Sequence, residues 1–310
     1  MTTPYSQYYP SFLSITRYNS HYNFSQLNGL NQSSYTLHNS TMTDMPRIRS
    51  KHLRQHVKDS CEKLNVSLPI TDYMLAHMHF DHARKLVYCF VPKVACTSWK
   101  RVWLKLTNIV PQNKTLLDID RYFVHTSLPN LASQKSKLPE ILETYRKFMF
   151  VRHPFDRVLS AYKDKFENED KKSSYNFHKE IGKKIEAKYR KPSTDGKNVT
   201  FEDFMHYISE PEGNSFEQLN EHWRSLHQLC NPCSINYDFI GKYENIHEDA
   251  PYVLDWIGAS DLIGRFPSSD RPFNAKRYDP HYFNQLSSKT KLLFFAKFIA
   301  DFIPFDYDIL

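Results

Sequence analysis

Residues 86–110 read LVYCFVPKVACTSWKRVWLKLTNIV, and the reading of this run decides the fold. Its opening, Leu86–Val91, is an unbroken apolar stretch with the length and β-rich composition of a buried strand. Pro92 cannot donate to a ladder and closes that strand. Trp99, Val102, Trp103, Leu106 and Val110 then recur close to i, i+3, i+4, i+7 and i+11, the spacing of one helix face. Between strand and helix lie Pro92, Lys93, Val94, Ala95, Cys96, Thr97 and Ser98. A helix N-terminus presents free N–H groups and a positive dipole end, so such a loop can cradle an anion. Lys93 adds a mobile point charge, and the Thr97 and Ser98 hydroxyls add donors. The glycines of a Walker A loop are missing. Many α/β proteins carry strand–loop–helix units, so the pattern alone fits an anion cradle or a plain connection.

A second unit of the same kind follows. Lys147–Val151 reads as a strand, Arg152-His153-Pro154 as a turn, and Phe155, Val158, Leu159, Tyr162 and Phe166 as a helix face. Arg152 and Ser160 stand at and just beyond the strand end, where open parallel sheets bind ligands. Helices are expected at 201–208, 221–229, 249–257 and 287–302, with a further strand at 237–242. This alternation predicts an α/β domain, a central mostly parallel sheet flanked by helices. No internal repeat or heptad pattern is present.

The chain has 310 residues, 40% hydrophobic and 15% aromatic, which is ample for a core. The net charge of +7 suits an anionic partner such as nucleic acid, a membrane surface or an acidic polysaccharide. No zinc finger or RNP sequence accompanies it, so nucleic acid is not expected. Arg47–Lys58 reads as a basic helix, solvated or polyanion-binding. The Lys- and Glu-rich segment 163–200 reads as a solvated helix with a loop at 192–197, or as a contact for an acidic chain. His77, His79 and His82 match no strong metal spacing, and no metal is expected.

Five cysteines are too few for a disulfide-built scaffold. Cys230 and Cys233 form a lone C-x-x-C, which a redox pair, half a zinc site or a local disulfide would each explain. One cysteine must stay unpaired within the chain, and Cys96, inside the loop, is the candidate. Six N-x-S/T sequons, at Asn23, Asn31, Asn39, Asn65, Asn113 and Asn198, point towards the secretory lumen. Residues 1–45 are rich in Tyr, Ser, Asn and Thr without periodicity, a disordered leader or a stem ahead of a domain at 46–310.

Val91–Trp99 together with Val151–Phe166 (VRHPFDRVLSAYKDKF) closely resembles the two nucleotide-binding motifs of Golgi carbohydrate sulfotransferases. The nearest branch is that of the HNK-1 and chondroitin/dermatan 4-O-sulfotransferases. The likeness continues through Leu229–Asp249 and Asp301–Asp308, and so covers roughly residues 50–308. It implies a P-loop-like sulfotransferase fold and the co-substrate 3′-phosphoadenylyl sulfate (PAPS). By the same resemblance, Pro92 to Ser98 would hold the 5′-phosphosulfate, with Lys93 also catalytic. Arg152, Arg157 and Ser160 would hold the 3′-phosphate. His125, between the motifs, would be the catalytic base, with His153 a weaker rival and Glu244 an acid/base, orienting or structural group. Cys230 and Cys233 would carry no metal.

The expected acceptor is a glycosaminoglycan or glycoprotein glycan, with chondroitin-type GalNAc 4-O-sulfation foremost. A catalytically silent glycan- or PAPS-binding protein of the same fold is the alternative. The missing Gly-x-x-x-x-Gly-Lys speaks against a P-loop kinase or NTPase. Family members are usually anchored in the Golgi membrane, yet residues 1–45 contain no signal peptide or 18-residue apolar span. The anchor is therefore expected outside this sequence, or targeting is expected by another route.

Overall fold

The computed structural model describes residues 44–167, 172–191, 193, 195–210, 220–267 and 279–309. The expected leader, apart from its last two residues, lies outside the described residues, as do Asn23, Asn31 and Asn39.

Four strands form one sheet in the order β1 (Met78–Asp81), β2 (Leu86–Cys89), β3 (Arg146–Val151) and β4 (Phe239–Lys242). β1 and β2 are an antiparallel hairpin whose turn includes Lys85 at φ 51°. β2, β3 and β4 run parallel, with Cys89 opposite Met149 and Val151 opposite Lys242. Every residue of β2, and every residue of β3 after Arg146, is buried. Helices cover both faces of such a sheet, which is why its strands are continuous apolar runs. β2 ends at Cys89, short of the expected Val91, and the Phe90 N–H still bonds the His77 carbonyl at 2.9 Å, in register with the β1–β2 pairing.

The described helices of nine or more residues are α1 (Met45–Leu64), α2 (Cys96–Leu106), α3 (Pro154–Tyr162), α4 (Phe201–Ser209), α5 (Ile246–Trp256) and α6 (Ser288–Phe302). α2 stops at Leu106 and does not reach Val110. Asn108 adopts φ 57°, and the Val110 N–H folds back to the Leu104 carbonyl, so Val110 is buried from outside the helix. The expected helix 221–229 shrinks to Leu226–Cys230. Its start is fixed from outside, since Asp301 accepts the Leu226 and His227 N–H groups at 2.7 and 3.0 Å.

The basic run Arg47–Lys58 is docked, not freely solvated. Ser50, Leu53, Val57 and Cys61 form the buried stripe of α1, and Ser50 Oγ accepts the Ile240 N–H from the edge strand β4 at 2.9 Å. Arg49 pairs with Glu248 and Asp249 of α5. Covering an unpaired strand edge in this way also prevents edge-to-edge association. Segment 163–200 likewise differs from a solvated helix: Asp164, Lys165, Ile181, Ile185 and Glu186 are buried, and Glu186 fastens the loop by accepting from the Ser193 and Asn198 N–H groups.

Two apolar cores result. One surrounds the sheet, with Tyr88 stacked on Phe148 at 4.9 Å and Trp99 on Phe150 at 5.2 Å. The other joins α3, α4 and α6 through Phe155, Phe204, Trp223, Phe294 and Phe302. Each such side chain contributes about 1.5–3 kcal/mol on burial.

The cysteine pairing corrects the local reading of the C-x-x-C. Cys230 joins Cys89 of β2 and Cys233 joins Cys61 of α1, so its two sulfurs serve different partners. Asn231, at φ 44°, turns the chain between them. Cys96 is the free cysteine. The sequons at Asn65, Asn113 and Asn198 are all exposed.

Candidate active site

The loop between β2 and α2 holds two residues in left-handed conformation, Lys93 at φ 70° and Ala95 at φ 53°. Neither is glycine, and backbone of this kind persists only where its surroundings fix it, typically at ligand sites. Left-handed residues alternating with right-handed ones gather successive N–H groups into an anion-binding concavity. Pro92 and Val94 are buried and anchor the loop, while Cys96 and Thr97 are half-buried. Ala95 caps α2 without a side-chain bond, and the first turn carries no acid. The opening N–H groups of α2, Thr97 and Ser98 among them, therefore have no intrahelical acceptor.

Cations converge on this loop. Lys93 Nζ donates to Asp164 Oδ2 at 3.1 Å, and Lys165 Nζ lies 3.5 Å from the same oxygen. Burial depresses the Lys93 ammonium to about 8, with Asp164 opposing the shift. Lys100 Nζ sits 3.4 Å from the centroid of the Phe90 ring, and burial lowers its proton affinity too. Arg152, at the end of β3, donates from Nη1 to the Lys93 carbonyl at 3.1 Å and lies 4.6 Å over the Tyr243 ring. The turn behind it is clasped by Glu244, whose oxygens accept the His153 N–H and the Tyr307 hydroxyl, both at 2.9 Å. Glu244 thus binds a backbone amide and a tyrosine hydroxyl. His153 Nε2 lies 3.4 Å from the Asp308 carbonyl, and its ring meets Phe302 and Tyr307 edge-on.

His125 belongs to the short helix Arg121–Thr126, capped by Asp120, which accepts the Phe123 N–H at 2.9 Å. Its Nε2 stands 3.3 Å from Thr97 Oγ1 at the mouth of the cradle. Desolvation, then the charges of Lys100 and Arg121, hold the imidazole near 4, so it is neutral at ordinary pH. Lys93, Thr97, Ser98, Arg152 and His125 are thereby brought to one end of the parallel strands. Ser160 is half-buried in α3. Arg157 stands apart from the others: it is fully buried, and its guanidinium donates to the His222 and Arg224 carbonyls.

Sequence reasoning missed Lys100, Asp164, Lys165, Glu221 and His222. Glu221 accepts from His77 Nε2 at 3.2 Å; burial pushes its carboxyl up, but this bond and the neighbouring His222 outweigh it and hold it near 2. His222 is kept near 3 by burial and by Lys165. His79 is spent on the Pro129 carbonyl and His82 on the Tyr145 hydroxyl. Among the described residues, no group of three His, Cys, Asp or Glu could hold a metal.

The sulfotransferase family profile matches residues 76–308. The chain is 34% identical over 270 residues to carbohydrate sulfotransferase 11 of Mus musculus, an alignment covering 83% of this chain and 75% of that protein. It is 30% identical over 307 residues to carbohydrate sulfotransferase 12 of Mus musculus, covering 90% and 72%. With carbohydrate sulfotransferase 14 of Homo sapiens it shares 33% identity over 241 residues, 76% of this chain and 61% of the other. No solved structure matches the chain.

Proposed function

Because the chain belongs to the sulfotransferase family, among its carbohydrate sulfotransferases, we propose that it sulfates a hydroxyl of a glycosaminoglycan or glycoprotein glycan. The 4-hydroxyl of GalNAc in a chondroitin-type chain is the foremost acceptor, favoured by the resemblance of its motifs and by its basic charge. The observation that carries this reading is His125 Nε2 held 3.3 Å from Thr97 Oγ1 at the lip of a cationic cradle.

The residues present fit PAPS, the family's co-substrate: the backbone donors of the loop and α2 face an anion, and Lys93, Lys100, Lys165 and Arg152 gather beside them. When bound, PAPS supplies a sulfuryl group whose sulfur gains a bond to the acceptor oxygen and loses its bond to the phosphate, leaving 3′,5′-ADP. The N–H groups of residues 94–98 and the Thr97 and Ser98 hydroxyls hold the 5′ end. Lys93 neutralises the charge growing on the departing oxygen, an electrostatic role realised in the transition state. His125 Nε2 takes the proton of the acceptor hydroxyl, which is a weak nucleophile until that proton leaves. Arg152 and Ser160 bind the 3′-phosphate. Arg157, spent on two carbonyls, holds the turn at 222–224 in place of a phosphate contact.

The Golgi lumen is the proposed compartment. Two disulfides favour an oxidising lumen, and among the described residues no helix is long and apolar enough to cross a membrane.

The test is sulfate transfer from labelled PAPS to desulfated chondroitin, dermatan, heparosan and a glucuronate-terminated oligosaccharide, with Lys93→Ala beside the wild type. Transfer to chondroitin, abolished in the variant, is expected. Tight binding of PAPS without transfer to any glycan would favour a silent binder and overturn the proposal.

A further inference from the structure

The short helix that presents His125 carries two more groups beside it. Arg121 and Tyr122 precede His125 by four and three residues, so each is a neighbour of His125 on the helix surface, one on either side of it. Val124 is fully buried and ties this helix to the core, and Thr126 Oγ1 donates to the Tyr122 carbonyl. Arg121, Tyr122 and His125 are all exposed, beside the cradle that His125 reaches through Thr97. Tyr122 is 78% exposed, the most exposed large hydrophobic side chain among the described residues. Nothing in the core accounts for it. An exposed aromatic ring with a polar tip suits a partner that is apolar on one face and hydroxylated at its rim, which is the character of a pyranose. Arg121 is exposed as well, and its planar fork matches a carboxylate bidentately.

We propose that Arg121 and Tyr122 form an acceptor subsite beside the base: Tyr122 stacks on the sugar ring next to the one being sulfated, and Arg121 takes that ring's carboxylate. This rests on the sulfotransferase reading of the same site. The arrangement links recognition to chemistry. His125 is faced by Lys100, Arg121, Lys165 and Glu221, and Arg121 is one of the cations that suppress its proton affinity. A carboxylate seated on Arg121 cancels that charge, so the correct acceptor makes His125 a stronger base on arrival.

Calorimetry on the protein saturated with 3′,5′-ADP separates the subsite from turnover. The probes are a hexuronate-containing chondroitin oligosaccharide and its carboxyl-reduced, neutral counterpart. Wild type is expected to prefer the acidic probe by about tenfold, the effect of one charge-assisted pair worth about 1.4 kcal/mol. Arg121→Gln should bind both probes alike, and Tyr122→Ala should weaken both by about tenfold. Affinity for 3′,5′-ADP should be unchanged in each variant, which shows that the fold and cradle survive. The acid limb of kcat/KM in Arg121→Gln should move to higher pH, because His125 loses a repelling cation. The proposal is overturned if Arg121→Gln keeps the wild-type preference, if Tyr122→Ala binds normally, or if neither probe binds the wild type. Selective binding without sulfate transfer would overturn the sulfotransferase assignment and leave the subsite standing. Transfer indifferent to both residues would do the reverse.

Discussion

Lys93 Nζ lies 3.1 Å from Asp164 Oδ2, across 71 residues of chain, and the two side chains are only 16% and 6% exposed. Lys165 shares the same carboxylate. Asp164 therefore holds two buried cations in place at the cradle, and removing one partner of such a cluster leaves a charge uncompensated. Holding Lys93 poised, rather than contacting the nucleotide, is the role we assign to Asp164.

The electrostatics of this pair predict an alkaline limb. In the proposed role Lys93 is protonated when it neutralises the leaving group, and burial brings its pKa to about 8. Activity measured as kcat/KM should fall as pH rises through about 8. Asp164 raises the Lys93 pKa, so Asp164→Asn lowers it further and should move the limb to lower pH. A pH–rate profile of both proteins checks this; an unmoved limb would show that Lys93 is not the titrating group.

His125 predicts the opposite limb. As the proposed base it must be unprotonated, and His125 is depressed to about 4, so wild-type kcat/KM should decline only as pH falls towards about 4. His125→Ala should lose about 10²–10⁴ in kcat, the ordinary contribution of a positioned acid–base group. Its affinity for 3′,5′-ADP should be unchanged, because the contact with Thr97 lies at the rim. Equal losses in affinity and rate would assign His125 to donor binding instead.

Why the sequence disclosed some of this and not the rest follows from what each signal encodes. β2 and β3 were legible because a parallel strand buried on both faces must be apolar without interruption. The loop of the candidate site was legible because Lys93 to Ser98 are contiguous, between a strand and a helix. Asp164 and Lys165 were not, since a charged pair after an amphipathic helix reads as solvent-facing until tertiary packing buries it. The Glu221 contact with His77 spans 144 residues, and no local periodicity records it. The end of α2 was misplaced because Val110 keeps the helical spacing while its N–H folds back after Asn108. Cys230 and Cys233 looked like neighbours in one motif, and their actual partners lie 141 and 172 residues away.

Those long-range disulfides predict a reductant-sensitive fold. Closing loops of this length stabilises a domain by about 2–5 kcal/mol per bridge, chiefly through the unfolded chain. Reductant, or Cys230→Ser, should lower the Tm by several degrees. Alkylation of the native, unreduced protein should modify one thiol, Cys96, and 3′,5′-ADP should slow that reaction because Cys96 lies within the cradle. Labelling at a second site, or indifference to the nucleotide, would contradict the pairing or the placement of the cradle.

Arg152 and Arg157 lie five residues apart in one motif, yet their surroundings assign them different work. Arg157 is fully buried, donates to the His222 and Arg224 carbonyls, and is attracted by Asp301. Asp301 in turn receives Ser225 Oγ at 2.7 Å and two backbone N–H groups. Arg157→Ala should therefore unbalance a buried network and cost about 3–5 kcal/mol of stability, while the protein that remains folded still binds 3′,5′-ADP. Arg152 is half-buried at the strand end, over Tyr243. Arg152→Ala should weaken 3′,5′-ADP by about tenfold or more, the loss of a charge-assisted phosphate contact, with little change in Tm. Affinity for adenosine 5′-phosphate, which lacks the 3′-phosphate, should be nearly the same in Arg152→Ala and wild type. If instead Arg157→Ala were as stable as wild type and selectively blind to the 3′-phosphate, the two roles would have to be exchanged.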